Sequence, residues 1–179
     1  MTMQGWRPSA CKALGVTAGL VAGCLAGPAA QAGWSAGVTV DPEATVAQVG
    51  LPAYPGAQRY RDPDGDGGAV DLKLWGGALS LRVVALKYTS RDSLPQVTDF
   101  YRQALARLGP VLDCTAGSPQ RGSRTASGLN CQEDHPAPGR VLLKAGSPAQ
   151  QTVVGVEPGP AGTVRFDLVR IESPGFTPP

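Results

Sequence analysis

Apolar and polar residues alternate along much of the chain from residue 69 to residue 171, and over one stretch the period of that alternation differs. From Ala69 to Trp75 the period is two, with Val70, Leu72 and Leu74 on one side. From Ala78 to Tyr88 it continues with Leu79, Leu81, Val83 and Ala85. Both runs predict strands, and Gly76-Gly77 between them predicts a hairpin turn, because glycine adopts positive φ without steric cost.

Over residues 94–108 the period becomes 3.6. Leu94, Val97, Phe100, Tyr101, Ala104, Leu105 and Leu108 fall on one face of a predicted helix. Ser93 and Gln96 have the spacing of a capping box, Pro95 sits in the first turn where no backbone donor is lost, and Gly109-Pro110 is a stop. The stripe is a core face.

Beyond the helix, Val111–Cys114 predicts a short strand, and 115–130 a polar loop rich in glycine and serine. Arg140–Lys144, Gln151–Val156 and Thr163–Ile171 predict three more strands joined by Gly/Pro/Ser turns. The order β-β-α-β-β-β-β predicts an α+β fold, an antiparallel sheet of five to six strands with one amphipathic helix packed on one face. A parallel sheet would need more crossover helices than the single one here. Residues 51–173 read as one domain. Residues 33–50, with only Val38-Thr39-Val40 alternating, read as an N-terminal tether, and 174–179, with three prolines, as a disordered tail.

The first 32 residues read as a signal peptide. They contain no Asp or Glu, carry Arg7 and Lys12, and continue in an apolar run over residues 13–27 that is too short to cross a bilayer. Ala30-Gln31-Ala32 supplies a small-x-small cleavage site. A second reading competes: Val21-Ala22-Gly23-Cys24 has the form of a lipobox, in which Cys24 is acylated and becomes the N-terminus. The chain stays apolar after Cys24, which favours cleavage after Ala32. Both readings place the protein outside the cytoplasm, periplasmic or secreted in one and membrane-anchored in the other.

Removing residues 1–32 changes the charge picture, leaving fourteen basic and fourteen acidic residues. A neutral chain with scattered arginines has no basic face for nucleic acid. The partner expected is an envelope protein or a small ligand, with membrane attachment only through an acylated Cys24. Of the four cysteines only Cys114 and Cys131 survive, and in an oxidising compartment they predict one disulfide. The competing reading is a Cys131 nucleophile with His135 as its base, which needs a free thiolate.

Candidate chemistry is sparse. Asp62, Asp64 and Asp66 followed by Gly67 match the first half of a calcium-binding EF-hand loop, and Asp71 could complete the shell where Lys73 replaces the usual glutamate. The same residues also make an ordinary polar turn. Calcium is the one cofactor with any support. No Gly-x-Ser-x-Gly elbow or phosphate loop occurs in the chain, and its single histidine excludes a multi-histidine metal site. No catalytic residue is nominated, and Arg121 and Arg124 could grip an anion. The function expected is a non-enzymatic binding or structural module. The alternatives are a carboxylate- or metal-dependent enzyme, or a calcium-stabilised secreted module using the Asp62–Asp66 loop.

The segments Leu51-Pro-Ala-Tyr-Pro-Gly-Ala57 and Thr89–Tyr101, with Asp92-Ser93 and Phe100-Tyr101, resemble a family of uncharacterised small exported bacterial domains. Their shared pattern is a Tyr-Pro-Gly-Ala entry, a strand, and a helix ending in Leu-x-x-Leu-Gly. The resemblance implies an envelope location and this α+β layout, and it implies no catalytic residue.

Overall fold

The computed structural model describes residues 36–61, 67–77 and 79–173. Residues 34–179 form one compact unit. The chain runs β1 (Ala36–Asp41), α1 (Val46–Val49), β2 (Gln58–Arg59), β3 (Ala69–Gly76), β4 (Leu79–Ser90), α2 (Leu94–Ala106), β5 (Leu112–Asp113), β6 (Val141–Ser147), β7 (Gln150–Pro158) and β8 (Val164–Glu172). The described strands form one antiparallel sheet in the order β1-β3-β4-β8-β7-β6-β5, with β2 paired to β4 beside that path. The fold is α+β as the pattern predicts, but the sheet has eight strands rather than five or six.

Two of the additional strands are β1 and β2. The 33–50 stretch, read as a tether, carries β1, paired to β3 from Ala36↔Gly76 to Asp41↔Asp71, and α1, whose Val49 is fully buried. The physical reason is non-local. The partner of β1 lies some 35 residues further on, and its Val38 and Val40 point to an exposed face, so no buried stripe marks the strand. Helix α1 has a capping box of Thr45 and Gln48 and ends on Gly50, whose φ of 78° suits a residue without Cβ.

Helix α2 keeps its predicted start and both halves of the Ser93–Gln96 capping box. Its buried side chains, Val97, Tyr101, Ala104 and Leu105, pack with Leu143, Val154, Val156, Phe166 and Leu168 of the sheet. Helix α1 covers β4 and β8 on the same side. Along β4 the buried residues are Val84, Leu86 and Ser90, the first two fully covered. The alternate positions Leu79, Leu81, Val83 and Ala85 therefore lie on the far side of the sheet.

The residues that carry the family resemblance meet inside this core. The Tyr54 ring lies 4.9 Å from Phe100 and 5.9 Å from Phe166, and its hydroxyl donates to Asp92 at 2.8 Å. Each centroid distance suits edge-on aromatic packing. The Tyr-Pro-Gly-Ala entry and the Phe-Tyr helix thus dock on each other.

Candidate docking face

Strand alternation decides what the far side presents. On β8 the outward residues run Arg165, Asp167, Val169, Ile171, and on β4 they run Lys87, Ala85, Val83, Leu81, Leu79. Both strands pass from charged to apolar along their length, and the cross-strand register sets the two gradients side by side: Lys87 opposes Asp167, Ala85 opposes Val169 and Val83 opposes Ile171. The far face is therefore polar at one end and apolar at the other.

At the polar end Arg140 pairs with Asp167 and, at 3.4 Å, with Glu157, while Arg165 reaches Glu157 at 2.8 Å. The Arg165 guanidinium also lies 5.2 Å above the Tyr60 ring and donates to its hydroxyl at 3.3 Å. Burial raises the Asp167 pKa above the ordinary carboxylate value, while the Arg140 charge and hydrogen bond pull it back. These charges neutralise one another within the network.

At the other end is a groove of about 810 Å³, formed where the start of β1, the β3–β4 hairpin, the β6–β7 turn and the end of β8 meet. Its lining includes Val38, Leu74, Leu79, Leu81, Pro148 and Ile171, and no lining residue is charged. Val38 is 62% exposed, Val40 58% and Leu79 71%. Trp75, at the hairpin shoulder, is 46% exposed, with its indole against Gly37 of β1. A Cβ at position 37 would overlap that ring, so the glycine is what lets the indole lie flat on the edge strand.

The remaining part of the far face is covered. Cys114 and Cys131 form a disulfide, and with Leu112, Leu129 and Leu142 they make a second small core over β5 and β6. Arg121 is committed to this loop, donating to the carbonyls of Cys114 at 3.1 Å and Asp134 at 2.6 Å. Lys144, 7% exposed, pairs with Asp134 at 2.8 Å.

The other sequence-nominated residues fall as follows. Asp62, Asp64 and Asp66 lie outside the described residues, as do Cys24, the signal segment and residues 174–179. Asp71, the fourth nominated calcium ligand, is buried on the helix side and held by this chain's own groups: Arg82 through both carboxylate oxygens, Gln48 at 3.1 Å and Lys73 at 3.6 Å. The Arg82 hydrogen bonds dominate over burial and lower its pKa. The Cys131–His135 nucleophile reading is overturned, because the Cys131 sulfur is bonded to Cys114 and has no thiolate to offer. The same bond means that Asp134, close to both sulfurs, does not complete a thiolate metal site. Arg124 is exposed and bridged to Asn130 through the backbone.

Among the described residues, no helix is long and apolar enough to cross a membrane. Compared with family models, curated proteins and solved structures, the chain matches none.

The docking face escaped the sequence reading although its residues were named in it. The alternation of Leu79, Leu81, Val83 and Ala85 is real, but it marks the uncovered side. Only the position of α2 and α1 on the opposite side distinguishes the two.

Proposed function

We propose that this protein is an exported, non-enzymatic binding module that engages an apolar partner through the uncharged end of its far sheet face. The observation that carries the reading is that groove, where Val38 and Leu79 stand exposed on the far face, with Trp75 exposed beside them on the other face of the hairpin, and no charged side chain is in the lining. Exposed apolar surface that is contiguous rather than scattered marks interaction sites in soluble domains. The Arg140, Arg165 and Asp71–Arg82 charges elsewhere on the sheet are held in ion pairs, and a domain closed by a disulfide is suited to an oxidising compartment.

The test is a pair of charge insertions, Val38→Asp with Leu79→Asp, made in the chromosomal copy of the source organism beside a deletion. Both positions are exposed, so the variant should keep the melting temperature and export level of the parent while reproducing the deletion phenotype. A variant that matches the parent in phenotype at equal abundance would remove the face from the function.

A further inference from the structure

Four features converge at the apolar end. The edge strand β1 begins there, with Ala36 opposite Gly76. The β3–β4 hairpin turns there, bringing Trp75 and Leu79 to its shoulders. The β6–β7 turn contributes Pro148, and β8 ends there at Glu172 with Ser173 beside the groove. At the opposite end of the same face lies the Arg140–Asp167–Glu157–Arg165 network. The far face is thus amphipathic along the strand axis, the polarity an object needs to stand upright at an apolar–aqueous boundary, while the charges on the other face of this end, Arg82, Arg170 and Glu172, are paired with one another.

The chain enters the fold at this same end. Ala36 lies only twelve residues after Cys24 and four after Ala32. Twelve extended residues reach about 40 Å, so a chain acylated at Cys24 could bring this end, rather than the charged one, to the bilayer with the least slack. The side chains suit that boundary, since an indole sits well at headgroup depth and leucine and valine below it. The lining holds no lysine or arginine, so attraction to anionic headgroups contributes nothing within the groove.

We infer that the occupant of the groove is a lipid bilayer surface, with the hairpin end entering the interfacial layer, Leu79 and Val38 from the far face and Trp75 from the other, and the charged network facing water. The inference rests on the reading of this face as the binding face and names its partner. It goes beyond an acyl anchor, because the contact is made by the folded domain itself.

The experiment uses residues 34–179, the compact unit that contains both hydrophobic cores, carrying Trp34→Phe so that Trp75 is its one tryptophan. The protein is mixed with vesicles of phosphatidylethanolamine and phosphatidylcholine, and with a second set containing phosphatidylglycerol, and floated through sucrose. The expected result is flotation with both sets to the same extent, unchanged by raised salt, with a blue shift of Trp75 emission and quenching by lipids brominated near the headgroup. Val38→Asp with Leu79→Asp should lower partitioning at least tenfold at an unchanged melting temperature. Absence of flotation and of any emission shift would overturn the lipid proposal. So would flotation confined to anionic vesicles and abolished by salt, which would assign the contact to charge. If flotation fails but the domain forms a concentration-dependent dimer that the double variant dissolves, the occupant is a second copy, and the binding face survives without the lipid. If the double variant also matches the parent in the source organism, the face itself has no binding role.

Discussion

Arg82 of β4 holds Asp71 of β3 diagonally across the ladder, Nε donating to Oδ1 at 3.0 Å and Nη2 to Oδ2 at 2.7 Å. Two parallel hydrogen bonds to one carboxylate fix both planes, and the bond from Gln48 brings α1 into the same arrangement. Strand β3, central strand β4 and helix α1 are tied together at one acid. Asp71 is 1% exposed, so removing its partner leaves a buried charge.

Arg82→Met should therefore destabilise the domain by about 3 kcal/mol, whereas pairing it with Asp71→Leu should recover much of the loss. Urea unfolding of the two variants checks this. The same measurement with and without chelator addresses calcium: the cost of Asp71→Leu alone should be unchanged by EDTA, because the carboxylate acts on Arg82 and Gln48. A cost that disappears in chelator would make Asp71 a metal ligand instead.

The pH dependence should have two limbs of opposite sign. Asp71 titrates below its ordinary value through its hydrogen bonds from Arg82. Asp113 does too, where burial pushes upward but the Thr115 and Arg102 bonds prevail. Groups lowered on folding stabilise above the unfolded value of about 3.9 and lose that contribution as pH falls through the folded value. Asp167 is raised by burial, so its contribution to stability is present at low pH and is lost as pH rises through its folded value. Melting temperature should hold or rise slightly as pH drops from 7 toward 4, then fall steeply. Asp167→Asn should flatten the first limb and Asp71→Asn the second. A curve unaltered by either substitution would reject the assignment.

Reduction of Cys114–Cys131 should act locally. The bond closes a ring of eighteen residues, for which the chain-entropy estimate is about 3 kcal/mol. The small core it anchors, Leu112, Leu129 and Leu142, is separate from the one between α2 and the sheet. In a Cys114→Ala, Cys131→Ala variant, amide exchange should accelerate across 114–140 while β4, β7 and β8 keep their protection. Uniform loss of protection would show the two cores to be one cooperative unit.

How much of this was legible depended on whether the signal was local. Helix α2 announced itself through Ser93, Gln96 and its apolar stripe, and β3 and β4 through alternation around Gly76-Gly77. Strand β1 could not, because Val38 and Val40 are exposed and its partner residues are remote in sequence. Helix α1 did leave a trace, Thr45-x-x-Gln48 followed by Gly50, but four residues make no stripe. The docking face was not singled out for a related reason. Strand β4 carries apolar residues on both sides, Leu79 to Ala85 on one and Val84 and Leu86 on the other, and alternation alone does not say which side a helix will cover.

Gly37 offers the sharpest check on that face. Its Cα carries the Trp75 indole, and a methyl group there would occupy the ring's position. Gly37→Ala should leave α2 and the two cores untouched, since β1 is an edge strand and position 37 touches neither. The indole would have to swing off the strand, further into solvent, at the mouth of the groove. The expected result is a red shift of Trp75 emission and faster quenching by acrylamide, measured in the Trp34→Phe background, with far-ultraviolet dichroism unchanged. Stability should fall by only ~1 kcal/mol, the scale of a partly exposed packing contact. If emission and quenching stay at the parent values, the indole does not rest on β1, and the groove lacks the wall that Trp75 gives it.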